Sequence, residues 1–477
     1  MKYLIFFISF FLILKISSEE KVIFAWQMHR HGARAPYLGV INGSDVYKEN
    51  WTQIEELSGV GKRMLYLLGV KARKRYIKVL RLLNETYNPQ EIYIRSTDVN
   101  RTIESVESYL QGLYPPGTGP IINENLLNKK DIVYPPNSNY SIYFDKIIEQ
   151  YHLNENGAAL PFQISVQPVH LFYKPDHEFQ LYDTNLCLGH KDLYEERKSR
   201  DDVKIFGDNL LEAFPYFLDL EGSDNNTFLR DYWTIYKYMD GFICDNVDIR
   251  NFTYLQENHG FNDSEKAKLK KYSEQFLWMD YSGTNYPANH SEIPIMAMSY
   301  TMHSILNWME KAIEGYTNKK TYIKFVIYSA HDSSIGALEY FMKYVFGVDE
   351  EYSTFAETRF FELFLDDNNN YNVRYLRGND TEKISMPFKE FKEVLDRETW
   401  NDSQVANYCK YEYKEGEPIY YDNDLDDEEK EDDEEKEDNE EKEDDDGKRH
   451  IYVSSMVIMS IINLILIIIL ILLCIKK

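Results

Sequence analysis

The stretch that decides the fold is VIFAWQMHRHGARAP, residues 22–36. Its first five residues are apolar and predict a short buried strand. The strand runs into Arg30, His31 and Arg34, so that two guanidinium groups flank one imidazole, while Gly32 permits close backbone approach. Because guanidinium geometry matches phosphate oxygens, this loop predicts an anion site with a histidine aimed at the bound group.

Two later segments have the same form, a buried strand followed by polar residues and a helix. In QEIYIRSTDVNRT, residues 90–102, the strand ends at Arg95 and Asp98 is predicted to cap the next helix. In TYIKFVIYSAHDSS, residues 321–334, an apolar strand precedes a His-Asp pair. Ligand sites in open α/β sheets lie at the carboxyl ends of the strands, so we expect the three segments to meet there.

Together these motifs resemble the histidine acid phosphatase family. They are Arg-His-Gly-x-Arg-x-Pro at 30–36, Arg-Ser-Thr-Asp-x-x-Arg-Thr at 95–102 and His-Asp at 331–332. The resemblance covers residues 22–410 and is loose between residues 120 and 290. It implies an α/β fold, similar to that of phosphoglycerate mutases, with a mixed central sheet flanked by helices and a smaller, mainly helical cap domain.

The resemblance also implies a role for each site residue. His31 is expected to be the nucleophile that forms a phosphohistidine, and Asp332 to protonate the leaving alcohol. We assign Arg101 and Asp98 structural roles beside the pocket. No cluster has convincing metal-ligand spacing, so we predict neither a metal nor another cofactor. The residues expected to bind the phosphoryl group are Arg30, Arg34, Arg95 and His331.

Both ends of the chain are apolar, and an acidic tract precedes the second end. Residues 1–18 have the basic start, apolar middle and small-residue exit of a signal peptide. Residues 451–475 are long enough to cross a membrane as one helix. Residues 422–446 carry a net charge of -16 out of -26 for the whole chain. The rest is only mildly acidic and has no evident basic face, so nucleic-acid binding is disfavoured.

The predicted organisation follows from these shifts in composition. It consists of a signal peptide (1–18), an α/β catalytic domain (19–120 and 291–415), a helical cap (121–290), an acidic low-complexity stalk (416–450), a transmembrane helix (451–475) and a cytosolic stub (476–477). Within the catalytic domain, periodicity predicts helices over 57–83 and 294–316 and strands over 360–365 and 372–376.

Cysteines and glycosylation sequons are typical of an exported protein. Cys474 lies in the predicted span, which leaves Cys187, Cys244 and Cys409, and sequence alone cannot give their pairing. The family resemblance favours a Cys187–Cys409 disulfide and leaves Cys244 as a buried thiol outside any disulfide. Eleven Asn-x-Ser/Thr sequons agree with secretion, and Asn100, inside the second motif, is expected to be buried and unmodified.

The combined expectation is a membrane-anchored acid phosphatase that hydrolyses phosphate monoesters on the luminal or extracellular side, in a lysosome or phagosome or at the cell surface. Since members of the family often dimerise, a homodimer is one option. A phytase or inositol-polyphosphate phosphatase of the same fold stays open as an alternative. A relative of the phosphoglycerate mutases would share Arg-His-Gly but lack a signal peptide. A catalytically silent surface glycoprotein has no chemical reason to keep both His31 and Asp332.

Overall fold

The structure, a computed structural model, describes the two ends of the catalytic region and parts of the segment between them. The described residues are 20–36, 55–115, 118, 170–171, 188–189, 201–215, 235, 240–241, 243–244, 262–282, 292–349 and 353–410. All of them belong to the first of two compact units, Met1–Tyr421. The predicted signal peptide, acidic stalk and transmembrane helix, and most of the predicted cap, lie outside the described residues. None of the helices in the described ranges is long and apolar enough to cross a bilayer.

One mixed sheet organises these ranges. Its strands are β1 (Lys21–Arg30), β2 (Ile92–Ser96), β3 (His170–Leu171), β4 (Phe325–Ala330), β5 (Thr358–Leu365), β6 (Tyr371–Arg377) and β7 (Glu382–Pro387). They lie in the order β3-β2-β4-β1-β5-β6-β7. Strands β3, β2, β4 and β1 are parallel, whereas β5, β6 and β7 join by antiparallel pairing. The predicted mixed central sheet is therefore confirmed.

The described ranges contain helices that flank the sheet, as the sequence predicts, and two further helices inside the predicted cap. They are α1 (Gly59–Ala72), α2 (Asn100–Leu113), α3 (Asp201–Ala213), α4 (Asp263–Ser282), α5 (Glu292–Thr317), α6 (Asp332–Phe346), α7 (Phe388–Glu398) and α8 (Asp402–Cys409). Helix α5 matches the prediction for 294–316. The long helix predicted over 57–83 is instead an α-helix that continues as a π-helical segment, Arg73–Val79.

Two hydrophobic clusters cover the sheet and explain why β1 has an unbroken apolar run over residues 22–26. Trp26 and Met28 of β1 belong to one cluster, together with Met302 of α5. Ala25 belongs to the other, together with Tyr109 of α2. A strand that is buried on both faces needs apolar residues at successive positions rather than at alternate ones.

Helices α1 and α2 cross in close contact at two glycines. A Cβ atom added to Gly69 would lie 1.9 Å from the Tyr109 carbonyl oxygen, and one added to Gly112 would lie 2.1 Å from that of Tyr66. Both obstacles are backbone atoms, which cannot rotate away. The crossing therefore depends on the absence of a side chain at these two positions.

The start of α2 differs from the prediction at two residues. The N-cap is Val99 and not Asp98, and Val99 makes no side-chain capping bond. Thr102 supports this turn instead, since its hydroxyl donates to the Val99 carbonyl oxygen at 2.8 Å. The prediction that Asn100 is buried is wrong, because Asn100 is exposed and its amide donates to Glu56 Oε1 at 3.4 Å.

The two described cysteines differ in bonding state. Cys409 at the end of α8 is disulfide-bonded. Cys244 is buried and outside any disulfide, as predicted. Because Cys187 lies outside the described residues, the Cys187–Cys409 pairing stays a prediction.

Candidate active site

The predicted site residues meet at one edge of the sheet. Strands β1, β2 and β4 run in the same direction, so Arg30, Arg95 and Ala330 lie at or next to their carboxyl ends. Strand β5 runs the opposite way, and the loop that precedes it, 353–357, therefore reaches the same edge. This loop supplies contacts that the three sequence motifs do not contain.

Backbone hydrogen bonds fix the loop around His31 from both sides. The His31 amide donates to the Ala330 carbonyl oxygen at 2.9 Å, and the His31 carbonyl oxygen accepts from the Ala356 amide at 3.0 Å. On the adjacent residue, the Arg30 amide donates to the Glu357 carbonyl oxygen at 3.0 Å. Ala356 has a φ of 59°, a left-handed conformation that is uncommon outside glycine. The position of His31 is thus set by strands β4 and β5 together.

Gly32 allows this loop to pack against the start of α1. A Cβ atom at Gly32 would lie 2.4 Å from the Gly61 carbonyl oxygen. Ser58, the N-cap of α1, donates its hydroxyl hydrogen to the Ala33 carbonyl oxygen at 3.0 Å. The close approach predicted for Gly32 is confirmed.

The His31 ring is held in the tautomer that suits a nucleophile. Its Nδ1 lies 2.9 Å from the Gly32 carbonyl oxygen, which can only accept, so Nδ1 carries the proton and Nε2 keeps its lone pair. Burial lowers the pKa of His31 well below its usual value, and the charges of Arg34, Arg30 and Arg101 lower it further. The imidazole is therefore neutral in a strongly cationic surrounding.

Asp332 lies at the start of α6 and pairs with Arg30. Its Oδ2 accepts from Arg30 Nη2 at 2.7 Å, and its Oδ1 accepts from the Ser333 amide at 2.9 Å. Burial raises the pKa of Asp332, but the charges of Arg30 and Arg34 outweigh it and the net pKa is about 2. No local sequence pattern indicates this lowered pKa, because the ion pair joins residues that are 302 positions apart in the chain.

The loop before β5 holds the other side of Arg30. Arg30 Nη1 donates to the Ser353 carbonyl oxygen at 3.0 Å, and its guanidinium carbon lies 4.2 Å from the centre of the Phe355 ring. The Arg30 side chain is fully buried. Its planar group is thus fixed by one carboxylate, one carbonyl and one aromatic face.

His331 is also neutral, and it approaches His31. Its Nε2 lies 2.8 Å from Thr97 Oγ1, while its Nδ1 lies 3.5 Å from Arg101 Nη2, which can only donate. Burial and the charge of Arg101 lower the pKa of His331 to about 3. The two imidazole ring centres are 5.6 Å apart. Because Arg101 donates to Nδ1, His331 Nε2 carries the proton and donates it to Thr97 Oγ1.

The sequence predicts only a structural role for Arg101, whereas the structure brings its charge close to both histidines of the site. It lies in the first turn of α2, and its charge lowers the pKa of both His31 and His331. Arg95 is buried at the end of β2, in register with Tyr328 of β4. The charge of Arg101 thus acts on both histidines of the candidate site, and the assignment of Arg95 to phosphate stays a prediction.

Comparison with known proteins agrees with this arrangement. A model of the histidine phosphatase superfamily, branch 2, matches residues 21–377. The chain belongs to this family. The resemblance stated from the three motifs and the predicted enzyme class, phosphoric monoester hydrolase, are both confirmed by this membership.

Named relatives and a solved structure lie within the same family and fold. The chain is 28% identical to lysosomal acid phosphatase of Xenopus laevis over 380 residues, which cover 78% of this chain and 73% of that protein. It is 27% identical to prostatic acid phosphatase of Mus musculus over 411 residues, 82% of this chain and 91% of that one. The structure of a phytase from Citrobacter braakii superimposes with a TM-score of 0.52 at 12% identity, over 82% of this chain and 99% of the phytase. The last likeness concerns the fold alone.

Proposed function

We propose that this histidine phosphatase is an acid phosphatase that hydrolyses phosphate monoesters through a phosphohistidine on His31. One observation carries the proposal: the buried His31 has its proton fixed on Nδ1 and is surrounded by guanidinium groups. A neutral imidazole with an available Nε2 lone pair is a nucleophile, and the surrounding positive charge attracts a phosphate dianion.

In the first half-reaction, His31 Nε2 attacks phosphorus in line with the ester oxygen. The P–N bond forms while the P–O bond to the alcohol breaks, and the electron pair leaves on the alkoxide. The protonated form of Asp332 supplies a proton to that oxygen. Arg30, Arg34 and Arg101 stabilise the charge on the equatorial phosphoryl oxygens.

In the second half-reaction, water attacks the phosphohistidine. The carboxylate of Asp332 accepts a proton from this water as its oxygen bonds to phosphorus, and the P–N bond breaks. Inorganic phosphate leaves, and both His31 and Asp332 return to their starting protonation states. Every step uses groups of this chain and one water molecule.

The charge of the substrate supports an acid role for Asp332. Its pKa of about 2 reflects the positive charges of Arg30 and Arg34. A phosphate dianion bound between these arginines offsets their charge and adds negative charge next to the carboxyl group, and both effects raise the pKa of Asp332. An acidic medium further increases the protonated fraction, so we expect activity to be highest at acidic pH.

The relatives support a location in the secretory pathway, including the lysosome. One of them is named a lysosomal acid phosphatase, and the sequence predicts a signal peptide. A membrane anchor at 451–475 and a homodimer are further predictions from the sequence and the family resemblance, and both concern residues or contacts outside the described structure.

The test is an assay of the purified full-length protein on p-nitrophenyl phosphate and phytate, at pH 5 and pH 8, with the variant His31→Ala. We expect kcat to fall by about 10⁴-fold or more, because the covalent route is lost. The matched control is His303→Gln, a histidine outside the site that lies 2.8 Å from Thr399 Oγ1. It should keep the activity.

Quenching with alkali and denaturant during turnover of a substrate labelled with ³²P should trap label on the wild-type protein and not on His31→Ala, because the P–N bond of a phosphohistidine is stable in base and hydrolyses in acid. Substantial turnover by His31→Ala would refute the nucleophile assignment. A strong preference for phytate over simple monoesters would instead favour the phytase alternative.

A further inference from the structure

Arg34 is held by a buried carboxylate that lies outside the three motifs. Arg34 Nη2 donates to Asp240 Oδ1 at 2.9 Å, and Nη1 donates to Asp240 Oδ2 at 3.1 Å, which makes a bidentate ion pair. Both side chains are almost fully buried, at 3% and 2% exposure. The same segment contributes Cys244, whose sulfur lies 3.8 Å from Arg34 Nη1.

This pair lies close enough to influence the reacting groups. The charge of Arg34 lowers the pKa of His31 and of Asp332, so its field reaches both the nucleophile and the proton donor. The negative charge of the Asp240 carboxylate therefore reduces the positive potential that Arg34 produces in the pocket. Because the pair is removed from water, solvent screens that effect only weakly.

We propose that Asp240 is a positioning residue of the phosphatase reaction, which fixes the orientation of the Arg34 guanidinium and offsets part of its charge so that inorganic phosphate can leave. The inference rests on the proposed function. It also assigns the segment around 240–244, within the predicted cap, a direct link to the phosphate site.

The physical reason is competition for one guanidinium group. A phosphate dianion and the Asp240 carboxylate carry charges of the same sign on two sides of Arg34, so each reduces the attraction that the other receives. The bidentate ion pair with Asp240 also fixes the plane of the Arg34 guanidinium before substrate binds. Removal of the carboxylate charge should consequently strengthen phosphate binding and slow its release.

The main test is Asp240→Asn in the full-length enzyme, with kcat, KM and the inhibition constant Ki of inorganic phosphate measured on p-nitrophenyl phosphate. We expect KM and Ki to fall by about tenfold, since a buried charge close to the ligand is lost. We expect kcat to fall as well, because phosphate leaves more slowly. Asp240→Glu keeps the charge and should restore a Ki close to the wild-type value.

The matched control is Glu362→Gln. Glu362 is also a buried carboxylate paired with arginines, through Arg75 at 2.7 Å and Arg374 at 2.8 Å, but it lies on β5 away from the nucleophile. We expect this variant to lower the melting temperature and to leave Ki within twofold of wild type. If Asp240 contributed to stability alone, Asp240→Asn would likewise lower the melting temperature and leave Ki within twofold of wild type.

The outcomes separate this inference from the proposed function. A Ki for Asp240→Asn that is unchanged within twofold, or higher than in wild type, overturns the inference. If Asp240→Asn does not fold, Asp240→Ser has the same expected result, because it also removes the charge. A wild-type enzyme that neither hydrolyses p-nitrophenyl phosphate nor binds phosphate would refute the proposed function, and the inference with it.

Discussion

Arg101 and Arg95 belong to one sequence motif but occupy different surroundings. Arg101 Nη2 lies 3.5 Å from His331 Nδ1, and Arg101 Nη1 pairs with Glu55 Oε2 at 2.9 Å. Arg95 is part of β2, in register with Tyr328 of the neighbouring strand. The charge of Arg101 lowers the pKa of His31, which links Arg101 directly to the proposed nucleophile.

We therefore predict different consequences for Arg101→Gln and Arg95→Gln. Loss of Arg101 should lower kcat/KM by about 10²-fold or more, since a charge that stabilises the transition state is removed. Loss of Arg95 should mainly lower the melting temperature. Steady-state kinetics and thermal unfolding of both variants measure the two effects. An equal fall in kcat/KM for Arg95→Gln would instead support the original assignment of Arg95 to phosphate.

Some candidate site residues can be recognised from one short stretch of sequence, whereas others reach the site only through the fold. His31 and Asp332 each follow a buried strand directly, so strand and side chain are read from one short stretch. Asp240 contacts Arg34 across 206 positions of the chain, and Ser353 contacts Arg30 across 323. No local pattern indicates such contacts, because only the fold brings the residues together.

At the level of elements, the crossing of α1 and α2 leaves no room for a side chain at Gly69. A Cβ atom at Gly69 would meet the Tyr109 carbonyl oxygen at 1.9 Å and the Leu113 nitrogen at 2.9 Å. We predict that Gly69→Ala lowers the free energy of unfolding by about 3 kcal/mol, because the helices must move apart. Urea unfolding followed by tryptophan fluorescence measures this change.

Gly59→Ala is the matched control for this prediction. Gly59 is the first residue of α1, and a Cβ atom there would meet nothing within 4 Å. We expect its stability to be unchanged or to rise by about 0.5 kcal/mol, since alanine favours the helix more than glycine does. Equal effects of the two substitutions would show that helix propensity, and not the crossing, determines the result.

The sequence predicts the strands that carry apolar residues, including the partly buried β6, but it does not predict the edge strand β7. Strands β1 and β4 are almost wholly buried, and their unbroken apolar runs identify them. Strand β7 at the edge of the sheet is partly exposed along its whole length, and its residues Glu382–Pro387 show no apolar run. The residues of this segment therefore predict no strand, because side chains at a sheet edge are only weakly constrained.

At the level of the whole molecule, buried neutral histidines oppose stability at acidic pH. Burial lowers the pKa of His29 to about 4 and that of His331 to about 3. Unfolded histidines take up protons below about pH 6.5, so the unfolded chain binds more protons than the folded chain between this pH and pH 4. The free energy of unfolding must therefore decrease as the pH falls through this interval. Bound phosphate stabilises the folded state and counteracts this loss.

His29 allows this effect to be tested without a change in the reacting groups. It is fully buried in β1 and stacks on Tyr109 with ring centres 5.5 Å apart, and none of the residues that the structure describes hydrogen-bonds to its Nε2. The stability that wild type loses between pH 7.5 and pH 4.5 should be about 2 kcal/mol smaller in His29→Gln, which cannot take up a proton. Urea unfolding of both proteins at the two pH values measures the difference. The direction of this effect follows from the lowered pKa of His29. The contribution of His29 to stability is complete above its unfolded pKa of about 6.5 and is lost as the pH falls towards its folded pKa of about 4. Equal losses in the two proteins would mean that His29 is not a source of the acid sensitivity.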